Sequence, residues 1–211
     1  KAVKGQYGDL ANARYWQGQS FQNCELMAAA IAVNQVNKTQ GPPNPNQKSI
    51  VALAKDTDSV VKPGFKMFLD ETIENQNGSR PGDVPALLNA HTDFGVTATQ
   101  MSFDPTVAGR SLALTALEAS LAQGDAVIVG VNSNLLWSST GDITKPLYTS
   151  AGHAVEVIKV DLTKGTVYVN DSAGVKIVDG KPEGKGQAIT IAAFLASWQT
   201  SGYGMTIVSA A

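Results

Sequence analysis

The chain has 211 residues, 16% of them charged, a net charge of −2 and a pI of about 5.7. That length bounds it to one domain, or at most two small ones, with ample material for a core. With no basic run it carries no electrostatic footprint for nucleic acid, and its longest apolar stretch, Leu26 to Val33, is far too short to cross a bilayer.

The first half reads as helical. A polar, glutamine-bearing loop, Trp16 to Asn23, ends in the single cysteine, Cys24, and a helix is expected from Glu25 to Val36. Gly41-Pro-Pro-Asn-Pro-Asn46 stops it with turn chemistry. Ser49 to Lys55 is a short helix. Asp83 to Asn89 is another, with Asp83 as its N-cap. Val96 to Met101 alternates apolar and polar side chains, as a strand does. Ser111 to Ala122 is a helix with Leu112, Leu114, Leu117 and Leu121 mostly on one side, ended by Gly124-Asp125.

The second half reads as sheet. Ala126 to Val131 is a continuous apolar, β-branched run, the pattern of a buried strand. Ala154 to Val160 and Thr166 to Val169 are strands joined by a hairpin over Asp161 to Gly165. Val175 to Val178 adds a short strand, Thr190 to Trp198 a helix, and Met205 to Val208 a last strand. Leu136 to Gly152, rich in Ser, Thr, Gly and Pro, is a long surface loop. Helices first and antiparallel strands later give an α+β domain. It is a single domain over residues 1–211, with residues 1–14 as an N-terminal extension.

A thiolate, not a thiol, is the nucleophile, and a helix N-terminus favours negative charge. Cys24 is therefore a candidate nucleophile, although a lone cysteine in an apolar helix is more often a core residue. His153 begins one strand of the hairpin and Asp171 follows the end of the other, so ladder geometry makes them neighbours. A carboxylate there holds the imidazole in one tautomer. The ordinary alternatives are a hydrogen-bonded strand-end histidine and a turn-forming aspartate. His91 reads as a surface loop residue. Trp16 and Trp137 either line a cleft or pack in the interior, and Trp198 is core. No Cys or His cluster has metal spacing and no glycine-rich phosphate loop is present, so neither a metal nor a cofactor is expected.

In sequence, Gln19-Ser-Phe-Gln-Asn-Cys24, Gly152-His-Ala-Val-Glu-Val157 and Val169-Asn-Asp-Ser-Ala-Gly174 resemble the motifs of papain-like cysteine peptidases. The likeness is closest to stand-alone relatives of the bacteriocin-processing double-glycine-leader peptidases. It runs from about Tyr15 to Val208 and includes Ala193 to Trp198 and Met205 to Val208. The histidine about 130 residues after the cysteine agrees with papain-type spacing.

The resemblance implies a papain-like fold, with a helical half carrying the nucleophile packed on a sheet carrying His and Asp. It also implies a Cys24, His153, Asp171 triad that hydrolyses peptide bonds. A glutamine before the cysteine would share the oxyanion with the cysteine N–H, a donor that contributes roughly 2.7–4 kcal/mol. The usual glutamine position, six before the cysteine, is Gly18 here. Gln19 is the first choice and Gln17 the second, while Gln22 is nearer the cysteine. Glu25 stands where small residues are commoner.

The expected partner is a peptide or protein substrate, without nucleic acid. Two alternatives share the fold: a catalytically inactive binding module, and an amide hydrolase or transglutaminase-like acyl transferase. A start at Lys1 and a polar, weakly charged composition favour a secreted or cell-envelope bacterial protein, with the cytoplasm as the alternative. Asn37-Lys-Thr39 and Asn77-Gly-Ser79 match the N-glycosylation triplet, which has meaning only in a suitable secretory host.

Overall fold

The computed structural model describes residues 3–69, 78–138 and 152–211. Its centre is a seven-stranded antiparallel sheet. The strands are β1 (Gln6–Gly8), β2 (Val96–Met101), β3 (Ala126–Asn132), β4 (Gly152–Asp161), β5 (Thr166–Asn170), β8 (Gln187–Thr190) and β9 (Met205–Ala210). They lie in the order β2-β9-β3-β4-β5-β8, and β1 pairs with β4 over Lys159 to Asp161, beyond the reach of β3. Two short strands, β6 (Ile177–Val178) and β7 (Lys181–Pro182), pair only with each other.

Helices cover both faces. On one lie α1 (Cys24–Asn37), α2 (Gln47–Asp56) and α3 (Asp83–Ala90), packed with Ala126, Ile128, Ala154 and Val208. On the other lie α4 (Val107–Gln123), α5 (Ser133–Ser138) and α6 (Ile191–Gln199), packed with Val127, Val129, Val155 and Val157. Successive residues of β3 thus enter opposite cores, which is why its sequence is apolar without alternation. The fold is α+β, as expected.

α1 is the buried spine. It is alanine-rich, contains neither Gly nor Pro, and every residue from Glu25 to Gln35 is buried. A helix apolar all round belongs in an interior. Lys38 ends it in the left-handed region (φ 56°), where its N–H bonds to the carbonyls of Asn34 and Gln35. The Asn37 amide donates to Asn44 Oδ1 and to the Phe94 carbonyl, so the first glycosylation triplet has its acceptor nitrogen engaged in the fold.

Two local expectations are corrected. Asp83 is the first residue of α3 and does not cap it. Its carboxylate, 2% exposed, accepts from Ser59 Oγ and the Val60 N–H instead, and so fastens the preceding loop. In α4 the inward face carries Ala113, Leu117 and Leu121, while Leu112 is 61% exposed. Five residues is well short of two turns, so Leu112 cannot share a face with Leu117. Residues 139–151, most of the expected loop, and Asn77 of the second triplet lie outside the described residues. Of the expected N-terminal extension, β1 joins the sheet, and a 3-10 helix over Leu10–Tyr15 follows it. No described helix is long and apolar enough to cross a membrane.

Glu156 on β4 is fully buried on the α1 face. Its Oε2 accepts from Asn170 Nδ2 at 2.9 Å and its Oε1 has no partner. Burial pushes its carboxyl up to about 8, against a small lowering by the Asn170 bond. The folded state therefore resists ionisation that the unfolded chain undergoes near 4.5. Stability should fall as pH rises from about 4.5 to about 8 and be level above, by an amount on the order of 5 kcal/mol. Glu156→Gln should remove most of that slope and raise stability at pH 8, as read from urea unfolding at pH 5 and pH 8. An unchanged slope would assign the effect to other groups.

Candidate active site

Cys24 opens α1 and is partly exposed. The preceding residue, Asn23, makes no side-chain cap, so the first-turn N–H groups are left without that acceptor. A helix N-terminus of that kind is an environment that favours negative charge. The Cys24 thiol lies near enough to His153 to favour the charged imidazole.

His153 stands opposite Val131 in the β3–β4 ladder, one residue inside the strand end. Its Nε2 lies 2.8 Å from Asp171 Oδ1. The ring is thus held through Nε2, which leaves Nδ1 as the nitrogen for the thiol. Burial works against a charge on this imidazole. The charge of Asp171, its hydrogen bond and the contact with Cys24 outweigh that effect, and the pKa is held well above 6.5.

Asp171 is completely buried, and its immobility comes from what surrounds it. Oδ1 also accepts from the Ala173 N–H at 2.9 Å, and Oδ2 accepts from Trp137 Nε1 at 2.9 Å. Its own N–H donates to the Gly184 carbonyl, and its carbonyl accepts from Trp16 Nε1 at 2.7 Å. Any Cβ at Gly184 would collide with the Asp171 carbonyl and with Gly174, so only glycine lets the two chain segments close behind the carboxylate. Trp137 completes the shell, its ring edge-on to His153 at 5.5 Å between centroids.

The two candidate glutamines part company. Gln19 Oε1 accepts from Ser172 Oγ at 2.7 Å, its Nε2 donates to the Phe21 carbonyl at 3.0 Å, and its backbone N–H donates to the Ser172 carbonyl. These bonds fix which end of the amide is nitrogen and leave a second Nε2 proton free to donate. Gln17 turns away, its Nε2 3.4 Å from the Pro45 carbonyl. A Cβ at Gly18 would press on the side chains of Val175 and Trp16, so a larger residue there requires them to shift. A loop one residue shorter than usual brings Gln19 beside Ser172 instead. The sequence marked Trp16 and Trp137 only as cleft or packing residues, and Ser172 only as part of the motif around Asp171, with no role of its own. Each acts through Asp171 or Gln19, and a single sequence carries no signal for such indirect roles.

Glu25, next to the nucleophile, is 6% exposed. Burial raises its carboxyl to about 7, and the charge on His153 offsets part of that rise. Among the described residues, no group of three or more His, Cys, Asp or Glu side chains is placed to hold a metal ion.

An uncharacterized protein of Mycobacterium tuberculosis and another of Mycobacterium bovis are each 36% identical to the chain over 205 residues, 92% of this chain and 81% of theirs. No protein-family model matches. Among solved structures, a proposed C39-like peptidase from Bacillus anthracis superposes with a TM-score of 0.62, covering 98% of each chain at 14% identity. Xylellain, a cysteine protease from Xylella fastidiosa, gives a TM-score of 0.59 over 100% of this chain and 87% of its own, also at 14% identity. At that identity the likeness establishes the fold, which is that of papain-like cysteine peptidases.

Proposed function

We propose that the chain, which belongs to one family with the uncharacterized mycobacterial proteins, is a cysteine peptidase. The observation that carries this reading is the 2.8 Å pairing of His153 Nε2 with the fully buried Asp171, on an imidazole whose charged form the Cys24 thiol also favours. In the proposed cycle the Cys24 sulfur attacks the scissile carbonyl carbon while its proton passes to His153. The oxyanion forms against the Cys24 N–H and the free Nε2 proton of Gln19. His153 then gives its proton to the leaving amine, which departs as the C–N bond breaks. An acyl-enzyme remains. Water attacks it as His153 takes up a proton, and the thiolate leaves. Asp171 is the positioning residue: it keeps the ring turned to the sulfur and steadies the imidazolium.

Iodoacetamide tests the reading. It should alkylate Cys24 once per chain within minutes at neutral pH, and loss of activity on a fluorogenic peptide library should follow the labelling. A thiol that reacts no faster than free cysteine, in a protein that cleaves nothing, would instead favour a non-catalytic binding module on the same fold.

A further inference from the structure

A cavity of about 320 Å³ opens on the α1 face of the sheet, and the residue that follows Cys24 in the chain belongs to its lining. Gly130, Ile128, Thr206, Gln100 and Ser201 form part of its wall, and Glu25 reaches into it from the first turn of α1. Gly130 stands beside Ala154 in the β3–β4 ladder, so the cavity wall and His153 occupy neighbouring positions of the sheet. A Cβ at Gly130 would press on Ser201, so the absence of a side chain there keeps the wall open.

Glu25 is more than nine-tenths buried, yet no hydrogen bond or ion pair joins it to a described residue. The described residues lining the cavity include no Lys, Arg or His. The neighbouring hydroxyl of Ser201 is already committed, donating to the Gly130 carbonyl at 2.7 Å and accepting from the Gly204 N–H. A carboxyl in such a place loses much of its hydration, and only the charge on His153 offsets part of that cost. A cation entering the cavity would restore both charge balance and hydrogen bonds.

We propose that this cavity is a specificity pocket for a lysine or arginine side chain of the peptide substrate, with Glu25 as its charge-reading residue. The inference rests on the peptidase reading. It makes Glu25 a group that senses the substrate through its side chain while Cys24 acts on its backbone. An uncharged side chain of the same length fills the space but leaves the carboxyl unpaired, and sites of that kind discriminate strongly. His153, on β4, is the charged group that acts on Glu25.

Positional libraries of fluorogenic tetrapeptides carrying lysine, arginine or norleucine test it. At pH 8 the wild-type protein should prefer lysine and arginine over norleucine at one position by about tenfold or more in kcat/KM. Glu25→Gln should bring that ratio near unity while norleucine peptides are still cleaved. In the wild type the ratio should also fall from pH 8 to pH 6, as Glu25 takes up a proton near 7. This second readout needs no variant to fold. Cleavage without a basic preference, or with one that Glu25→Gln retains or that pH leaves unchanged, overturns the inference and leaves the peptidase standing. Failure of the wild type to cleave any library member overturns the peptidase and this inference together.

Discussion

Cys24→Ala is expected to lower kcat/KM for peptide hydrolysis by roughly a million-fold, the scale seen when the nucleophile of a triad is removed. Alanine has no group to form the acyl-enzyme. The substitution should leave the fold intact. Cys24 is partly exposed at the start of α1, and alanine is the best helix former. Thermal unfolding within a degree or two of wild type would therefore accompany the loss of turnover, and peptide affinity should survive. A residual rate above about a hundredth of wild type would place the nucleophile elsewhere.

Asp171→Ala is expected to cost roughly ten-thousand-fold in kcat/KM, as when the carboxylate behind a catalytic imidazole is disabled. Two effects act together. The ring loses the bond that fixes Nε2, and the imidazolium loses its counter-charge. The Trp137 indole N–H and the Ala173 N–H also lose their acceptors, and buried donors left unpaired cost about 1–3 kcal/mol each. Asp171→Asn separates the effects, because it keeps the shape and drops the charge. His153 is held above 6.5 chiefly by that charge, once burial is overcome. Its pairing stabilises the fold fully below its unfolded value and fades as pH rises through the raised folded one. Asn at this position should thus move the alkaline limb of the pH–rate profile to lower pH. A limb that stays in place would mean that His153 is not the group titrating there.

The main elements were legible because their patterns have one cause each. β3 is apolar from Ala126 to Val131 because both faces are covered, and α1 is apolar from Leu26 to Val33 because it is enclosed. The neighbourhood of His153 and Asp171 followed from strand-end geometry alone. Other features depend on partners distant in sequence. β1 and β8 are short edge segments whose strand character comes from pairing with β4 and β5. Asp83 has the composition of a helix cap, but a loop more than twenty residues upstream competes for its carboxylate and wins. The choice between Gln19 and Gln17 turned on Ser172, which lies 153 positions away from Gln19. That distance is invisible to any local pattern.

The same separation governs when the protein acquires its chemistry during synthesis. Asn170 donates to the Asn12 carbonyl, Trp16 to the Asp171 carbonyl and Ser172 to Gln19, so the opening of the chain is fastened to a strand end about 155 positions later. On the ribosome, the cysteine emerges early and waits with its orienting glutamine untethered. Contacts of such long range form late. A nascent chain stalled before residue 170 would lack all three of these fastenings.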